Sequence, residues 1–184
     1  MKVLVLDGFT GQSPVHRPLA TVLSAHQVEH IKLAQEDIPW CRGCFQCWLI
    51  TPGECVIGGT GNEVARKYIN SDLVVLLSPL VFGGYSAELK RAMDRLIPNM
   101  SGLLVRRGGD TRHVRRYSRY PSLVVLGWQQ EEDARQKEIF LDLAYRNKLN
   151  LMPPSFASAV SSGKDEEQIN RQLTAIMVEV GVGR

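Results

Sequence analysis

Five short apolar runs punctuate the chain, and between them apolar residues recur at helical spacing. Lys2 to Asp7 (KVLVLD), Leu73 to Leu77 (LVVLL), Ser122 to Leu126 and Ser155 to Val160 have the character of strands covered on both faces. Gln27 to Leu33 (QVEHIKL) alternates, as a half-exposed strand does. The helical stripes are Leu19, Val22 and Leu23 after a start near Arg17–Pro18, and Val64, Ala65, Tyr68 and Ile69 within Asn62 to Asn70. Three more follow: Leu89, Ala92, Met93, Leu96 and Ile97 behind Ser86 as N-cap; Ile139, Phe140, Leu143 and Ala144 within Glu131 to Lys148; and Ile169, Leu173, Ile176, Met177 and Val180 within Asp165 to Val180. Met100 to Tyr120 shows no clear period.

Strands alternating with helices imply right-handed crossovers, hence an α/β fold with a doubly wound five-stranded parallel sheet and helices on both faces. One domain over residues 1–184 is expected. Without GxGxxG, a single site at the switch point favours the flavodoxin-like order 2-1-3-4-5. Phosphorylated receiver domains share that order, but they need paired acids after strand one and an Asp after strand three; only Asp7 stands near the first position, and Ser78 fills the second.

The stretch from Asp72 to Arg95 (DLVVLLSPLVFGGYSAELKRAMDR) organises the rest. Its strand is expected to stop at Ser78–Pro79, since proline cannot donate to a central ladder. Pro79 to Tyr85 then lies outside the carboxyl end of a strand, where such sheets bind ligands, and its apolar, glycine-bearing character suits a flat, partly polar ring. Phe9 to Arg17 (FTGQSPVHR) is a polar turn after the first strand, where free N–H groups and a helix dipole can hold a phosphate. Thr10, Gln12, Ser13 and His16 supply further donors there, although the loop is neither Walker-type nor GxGxxG.

The composition is that of a soluble globular protein, with 44% hydrophobic and 22% charged residues. No leader follows Met1 and no apolar run approaches ~18 residues, so a cytoplasmic protein with no membrane association is expected. A net charge of +3 is too small to imply nucleic acid by itself. Six arginines (Arg106, Arg107, Arg112, Arg115, Arg116, Arg119) do crowd one loop, and their forks suit a dinucleotide phosphate or a carboxylate across a dimer as well as a nucleic-acid backbone. Cys41, Cys44, Cys47 and Cys55 read C-x2-C-x2-C-x7-C, whose first three match a compact iron–sulfur run. Zinc, a disulfide, and thiols packed beside Trp40, Phe45 and Trp48 are the other readings.

Taken in order, CRGCFQCWLITPGEC, SPLVFGGYSAELKRAMDR and HVRRYSRYP resemble flavodoxin-like NAD(P)H-dependent FMN reductases and their iron–sulfur flavoprotein relatives, over most of Met1 to about Trp128. The resemblance implies FMN, with its phosphate in the loop holding Thr10, Gln12, Ser13, Pro14, Val15 and His16. It implies isoalloxazine contacts from Pro79, Leu80, Val81, Phe82 and Gly83, and from Trp128 in the next loop beside Gly127. Two positions depart from the family pattern: GFTGQSPVH stands where GSPR followed by GNT is usual, and Val81 stands where a tyrosine is usual.

The expectation is an FMN-dependent oxidoreductase using NAD(P)H as substrate and reducing a small molecule or protein. Its cysteines are read as packed or redox-active thiols, and a homodimer or homotetramer is expected from the large apolar residues of the cysteine turn. The nearest rival is an iron–sulfur flavoprotein in which Cys41, Cys44, Cys47 and Cys55 hold one 4Fe–4S cluster. A rival of another class is a flavin-free regulatory module using the arginines on nucleic acid.

Overall fold

The computed structural model describes residues 1–182. Its elements run β1 (Lys2–Asp7), α1 (His16–Val22), β2 (Gln27–Lys32), α2 (Gln46–Leu49), α3 (Thr60–Asn70), β3 (Leu73–Pro79), α4 (Ala87–Asp94), β4 (Met100–Arg107), β5 (Asp110–Arg115), β6 (Ser122–Gln129), α5 (Ala134–Leu151), β7 (Phe156–Ser162) and α6 (Glu166–Glu179). Five of the strands form one parallel sheet in the order β2-β1-β3-β6-β7. Counting only those strands, this is the expected flavodoxin-like order.

Alternation along the strands builds two cores. Leu4, Leu6, Val74, Leu76 and Val125 face Val64, Tyr68, Leu89 and Phe140 of α3, α4 and α5. Val3, Val5, Val75, Leu77 and Val124 face Leu19, Leu23, Ile169, Leu173 and Met177 of α1 and α6. β3 is central and its residues from Leu73 to Ser78 are fully buried. β2 is an edge strand, with Ile31 its one buried residue. Helix ends follow the local chemistry: Ser86 accepts from Leu89 N–H, Asp133 from Gln136 N–H, and Asp165 from Glu167 and Gln168 N–H. No helix among the described residues is long and apolar enough to cross a membrane.

One expectation holds and one is corrected. β3 stops at Ser78–Pro79 as expected, its last residue Pro79 still paired with Trp128. Successive N–H groups point to opposite sides of a strand, and Leu80 N–H donates to the Trp128 carbonyl at 2.8 Å on the β6 side. The donor that Pro79 lacks therefore points toward β1, which has already ended at Asp7. The arginine stretch, in turn, is not an irregular loop but the antiparallel ribbon β4–β5, closed by Gly108 and Gly109 at φ +59° and +85°. Both central residues of such a two-residue turn need positive φ, and a Gly-Gly pair satisfies this without strain. No residue of the ribbon is buried and most of β4 is exposed, which removes the apolar alternation that normally announces a strand.

Candidate functional site

Loops from β1, β3 and β6 meet at the carboxyl edge of the sheet. Gly8 makes the first junction: its N–H donates to Leu77 O at 2.8 Å, and a Cβ there would lie 2.5 Å from Ser86 Oγ. Only glycine lets the β1 loop press so closely on the start of α4. Ser78 braces the loop after β3, accepting from Ser86 N–H at 2.8 Å while its own hydroxyl donates to Pro79 O at 2.7 Å. Gly127 provides the third close approach, beneath the side chains of Leu80 and Phe140.

At the tip of the β3 loop, Val81 and Gly84 exchange two backbone hydrogen bonds, of 3.1 and 2.8 Å. The residues between them, Phe82 and Gly83, have φ of +51° and +77°, which makes a tight turn of the hairpin type. Left-handed backbone costs a non-glycine residue roughly 1–2 kcal/mol. Phe82 nonetheless sits there 96% exposed, its ring presented to solvent by a rigid support. The support is α5: Gly83 N–H donates to Gln136 Oε1 at 3.2 Å, and Ile139 lies directly under Gly83.

The β1 loop folds back on itself. His16 N–H donates to Ser13 O at 3.1 Å, and Ser13 N–H donates to His16 Nδ1 at 3.0 Å. Ser13 Oγ is buried and, among the described residues, has no hydrogen-bond partner. Thr10 and Gln12 are exposed, Pro14 and His16 half-buried. Val15, expected among the phosphate contacts, points its side chain into the α1/α6 core. α1 is only seven residues long and has no side-chain cap, so the loop's own groups must do what a longer helix's dipole would have done.

Behind this loop stands a buried carboxylate flanked by two histidines, which sequence reasoning missed. The Asp7 carboxylate is buried; its Oδ1 accepts from Phe9 N–H at 3.0 Å, and its Oδ2 lies 2.9 Å from His30 Nε2 and 3.0 Å from His16 Nε2. Burial pushes this carboxyl upward, but the two imidazoles and the Phe9 amide outweigh burial and hold it well below the usual carboxylate range. The rings of His30, His16, Phe9 and Trp128 continue as a row across the ends of β2, β1 and β6, with centroids 6.2, 5.3 and 6.1 Å apart. Trp128 donates through Nε1–H to Gly163 O at 2.8 Å and so turns its indole toward the β1 loop. The sequence carried no signal for the carboxylate and its histidines: only the parallel register places His30 beside Val5, on the face Asp7 shares.

The residues fit a phosphate monoester joined to a flat ring: an unpartnered buried Ser13 hydroxyl in a polar loop on one side, and a braced apolar turn bearing an exposed aromatic on the other.

The four cysteines lie on and around α2. Cys47 and Cys55 are buried, Cys41 half-buried and Cys44 exposed. Burial pushes the Cys47 thiol up, and so do its neighbours Cys55, Cys41 and Cys44. Arg95, itself fully buried, clamps both ends of their segment by donating to Pro39 O at 2.9 Å and Gly58 O at 3.0 Å. Four neighbouring thiols have the donor chemistry of an iron–sulfur site, but among the described residues no three potential ligands converge enough to hold a metal ion.

The architecture is flavodoxin-like. It is similar to NAD(P)H:quinone oxidoreductase from Methanothermobacter marburgensis (TM-score 0.69, 13% identity, covering 95% of this chain and 94% of that one). It is also similar to an FMN-dependent NADH-azoreductase from Bacillus anthracis solved with FMN (TM-score 0.61, 12% identity, 95% and 98% covered). Residues 1–117 match the NADPH-dependent FMN reductase family, and the chain belongs to it. It is 38% identical over 80 residues to an iron–sulfur flavoprotein of Methanocaldococcus jannaschii, a match covering 44% of this chain and 40% of that protein. A second iron–sulfur flavoprotein, from Archaeoglobus fulgidus, is 33% identical over 75 residues, covering 41% of this chain and 33% of its own. The matched stretches thus span less than half of those curated relatives.

Proposed function

We propose that the protein is an FMN-dependent oxidoreductase that takes electrons from NAD(P)H and passes them to a small-molecule or protein acceptor. The observation that carries this reading is the meeting, at one sheet edge, of the folded-back Thr10–His16 loop and the braced Pro79–Gly83 turn. Membership of the FMN reductase family supports it. Bound FMN supplies the hydride chemistry. The protein's part is to hold the phosphate through Thr10, Gln12, Ser13 and His16, to seat the ring against Pro79, Leu80, Val81 and Gly83, and to shield it from water with Phe82. Trp128 borders the ring from the end of β6 and packs against Phe9 of the β1 loop. The reaction belongs in the cytoplasm, where NAD(P)H is found.

An absorption spectrum followed by anaerobic titration tests this. The purified protein should show two flavin bands that bleach on adding NADH or NADPH. A protein that neither retains nor rebinds FMN, or whose flavin neither nucleotide reduces, would overturn the reading.

A second reading adds one 4Fe–4S cluster on Cys41, Cys44, Cys47 and Cys55. It is favoured by the iron–sulfur flavoproteins among the relatives and by the buried Arg95 cation at the base of the thiol segment. About four irons and matching acid-labile sulfide per chain, in protein purified without oxygen, would establish it, since one cubane carries that number. Iron-free protein with full flavin content leaves the thiols unliganded.

We further propose a homodimer or homotetramer. Leu49, Ile50, Leu103 and Leu104 are 60–79% exposed at the end of α2 and on β4, elements that touch each other. A monomeric mass by light scattering at micromolar concentration would refute it.

A further inference from the structure

The β1 loop is closed by a hydrogen bond between Ser13 and His16, 3.0 Å long. Ser13 N–H donates to His16 Nδ1, so that nitrogen carries a lone pair and the ring's single proton resides on Nε2. In this form the loop offers an anion the wrong groups. The Ser13 amide is spent internally, and Nδ1 turns a lone pair toward the same space. Asp7 stands on the other side of the ring. Its Oδ2 lies 3.0 Å from His16 Nε2, off the axis of that N–H, and 2.9 Å from His30 Nε2.

We propose that His16 takes up one proton when the loop binds a phosphate monoester, and that Asp7 and His30 position it to do so. The proton comes from solvent and adds to Nδ1. The Ser13 N–H to Nδ1 bond breaks, and both that amide and the new Nδ1–H turn to phosphate oxygens, beside the unpartnered Ser13 hydroxyl. Two mutually satisfied groups thereby become two donors. The resulting imidazolium stays 3.0 Å from Asp7, a buried carboxylate already ionised and aligned by Phe9 N–H and His30. Neutralising Asp7 locally offsets the burial of the new charge.

The charged and titratable surroundings are compatible with this. On β1 the ring faces Asp7 and on β2 His30; His26 lines the same cavity of about 270 Å³ beneath α1. Arg17, next to His16, points outward to Glu166 of α6 at 3.6 Å. No acid other than Asp7 lies within ion-pair distance of His16 among the described residues.

The inference rests on the FMN reading, and the test separates the two. FMN binding is measured by calorimetry at pH 8 in two buffers of different ionisation enthalpy, with riboflavin, which lacks the phosphate, as control. FMN should take up about one proton per site, and its Kd should rise about tenfold per pH unit on the alkaline side. Riboflavin and the His16→Gln variant should take up none. Asp7→Asn, isosteric but without the negative charge, should bind FMN more weakly and with uptake near zero. ¹⁵N spectra of the ring should show a neutral Nε2–H form without ligand and the doubly protonated form with FMN. Equal uptake by native protein and His16→Gln overturns the proposal while leaving the flavin reading intact. Loss of FMN binding at every pH overturns both.

Discussion

Gly127 lies so close beneath Leu80 that a Cβ on it would be 2.5 Å from Leu80 Cδ1 and 2.9 Å from Phe140 Cε1. The contact ties the end of β6 to the loop proposed to seat the ring. Gly127→Ala must push Leu80 outward or shift Phe140, and overpacking of this kind costs about 1–3 kcal/mol. Urea unfolding should show that loss together with weaker FMN retention. An unchanged midpoint with normal flavin would mean that Leu80 moves aside freely.

Phe82 separates stability from binding. Glycine at that left-handed position relieves strain, so Phe82→Gly should leave stability equal or raise it by up to ~1 kcal/mol. The same change removes the exposed ring and should weaken FMN. Gly83→Val does the reverse at the neighbouring residue, forcing a β-branched side chain into Ile139, and should destabilise the turn itself. Thermal melts with and without FMN read both effects.

Acid should unfold the protein partly through Asp7. Its carboxyl is held below the ordinary value in the fold, so its contribution is complete above the unfolded carboxyl range, about 3.9, and is lost as pH falls below it. Native stability should therefore fall more steeply below about pH 4 than that of Asp7→Asn. Parallel slopes in denaturant midpoints between pH 5 and 3 would discount the network's role.

Arg95 holds the carbonyls on both sides of the cysteine segment, and hydrogen bonds from a charged donor are worth about 1.5–3 kcal/mol each. Arg95→Met keeps the bulk and loses the bonds. Labelling by a thiol reagent should then speed up sharply at buried Cys47 and Cys55, with little change at exposed Cys44. Equal rates at all four sites in native and variant protein would count against the clamp.

The sheet could be read from the sequence because burial leaves its mark there: LVVLL has the composition of a strand covered on both faces, and Ser86 caps where its position before an apolar stripe suggests. What escaped was whatever depends on a partner distant in sequence. Val15 lies in a polar stretch, yet the turn that buries it is made by Ser13 and His16. His30 looked like one polar position of an alternating edge strand until the register set it against Asp7. The β4–β5 ribbon hid for the opposite reason. It is buried on neither side, so only its Gly-Gly turn betrayed it.

The chain makes the same backbone reversal twice, at Phe82–Gly83 and at Gly108–Gly109, with opposite freedom to change. A side chain at residue 83 would strike Ile139 at 2.9 Å, whereas nothing lies within 4 Å of a Cβ at 108 or 109. Each doubling of a flexible loop costs only about 0.6 kcal/mol in closure entropy, so residues added at the ribbon tip are nearly free. The first reversal is a fixed tool, and the second is an open margin. Over evolutionary time lengths and sequences should drift at 108–109 while 82–83 stands still, and an engineer seeking a place to graft a tag or a docking peptide would find it at the ribbon tip.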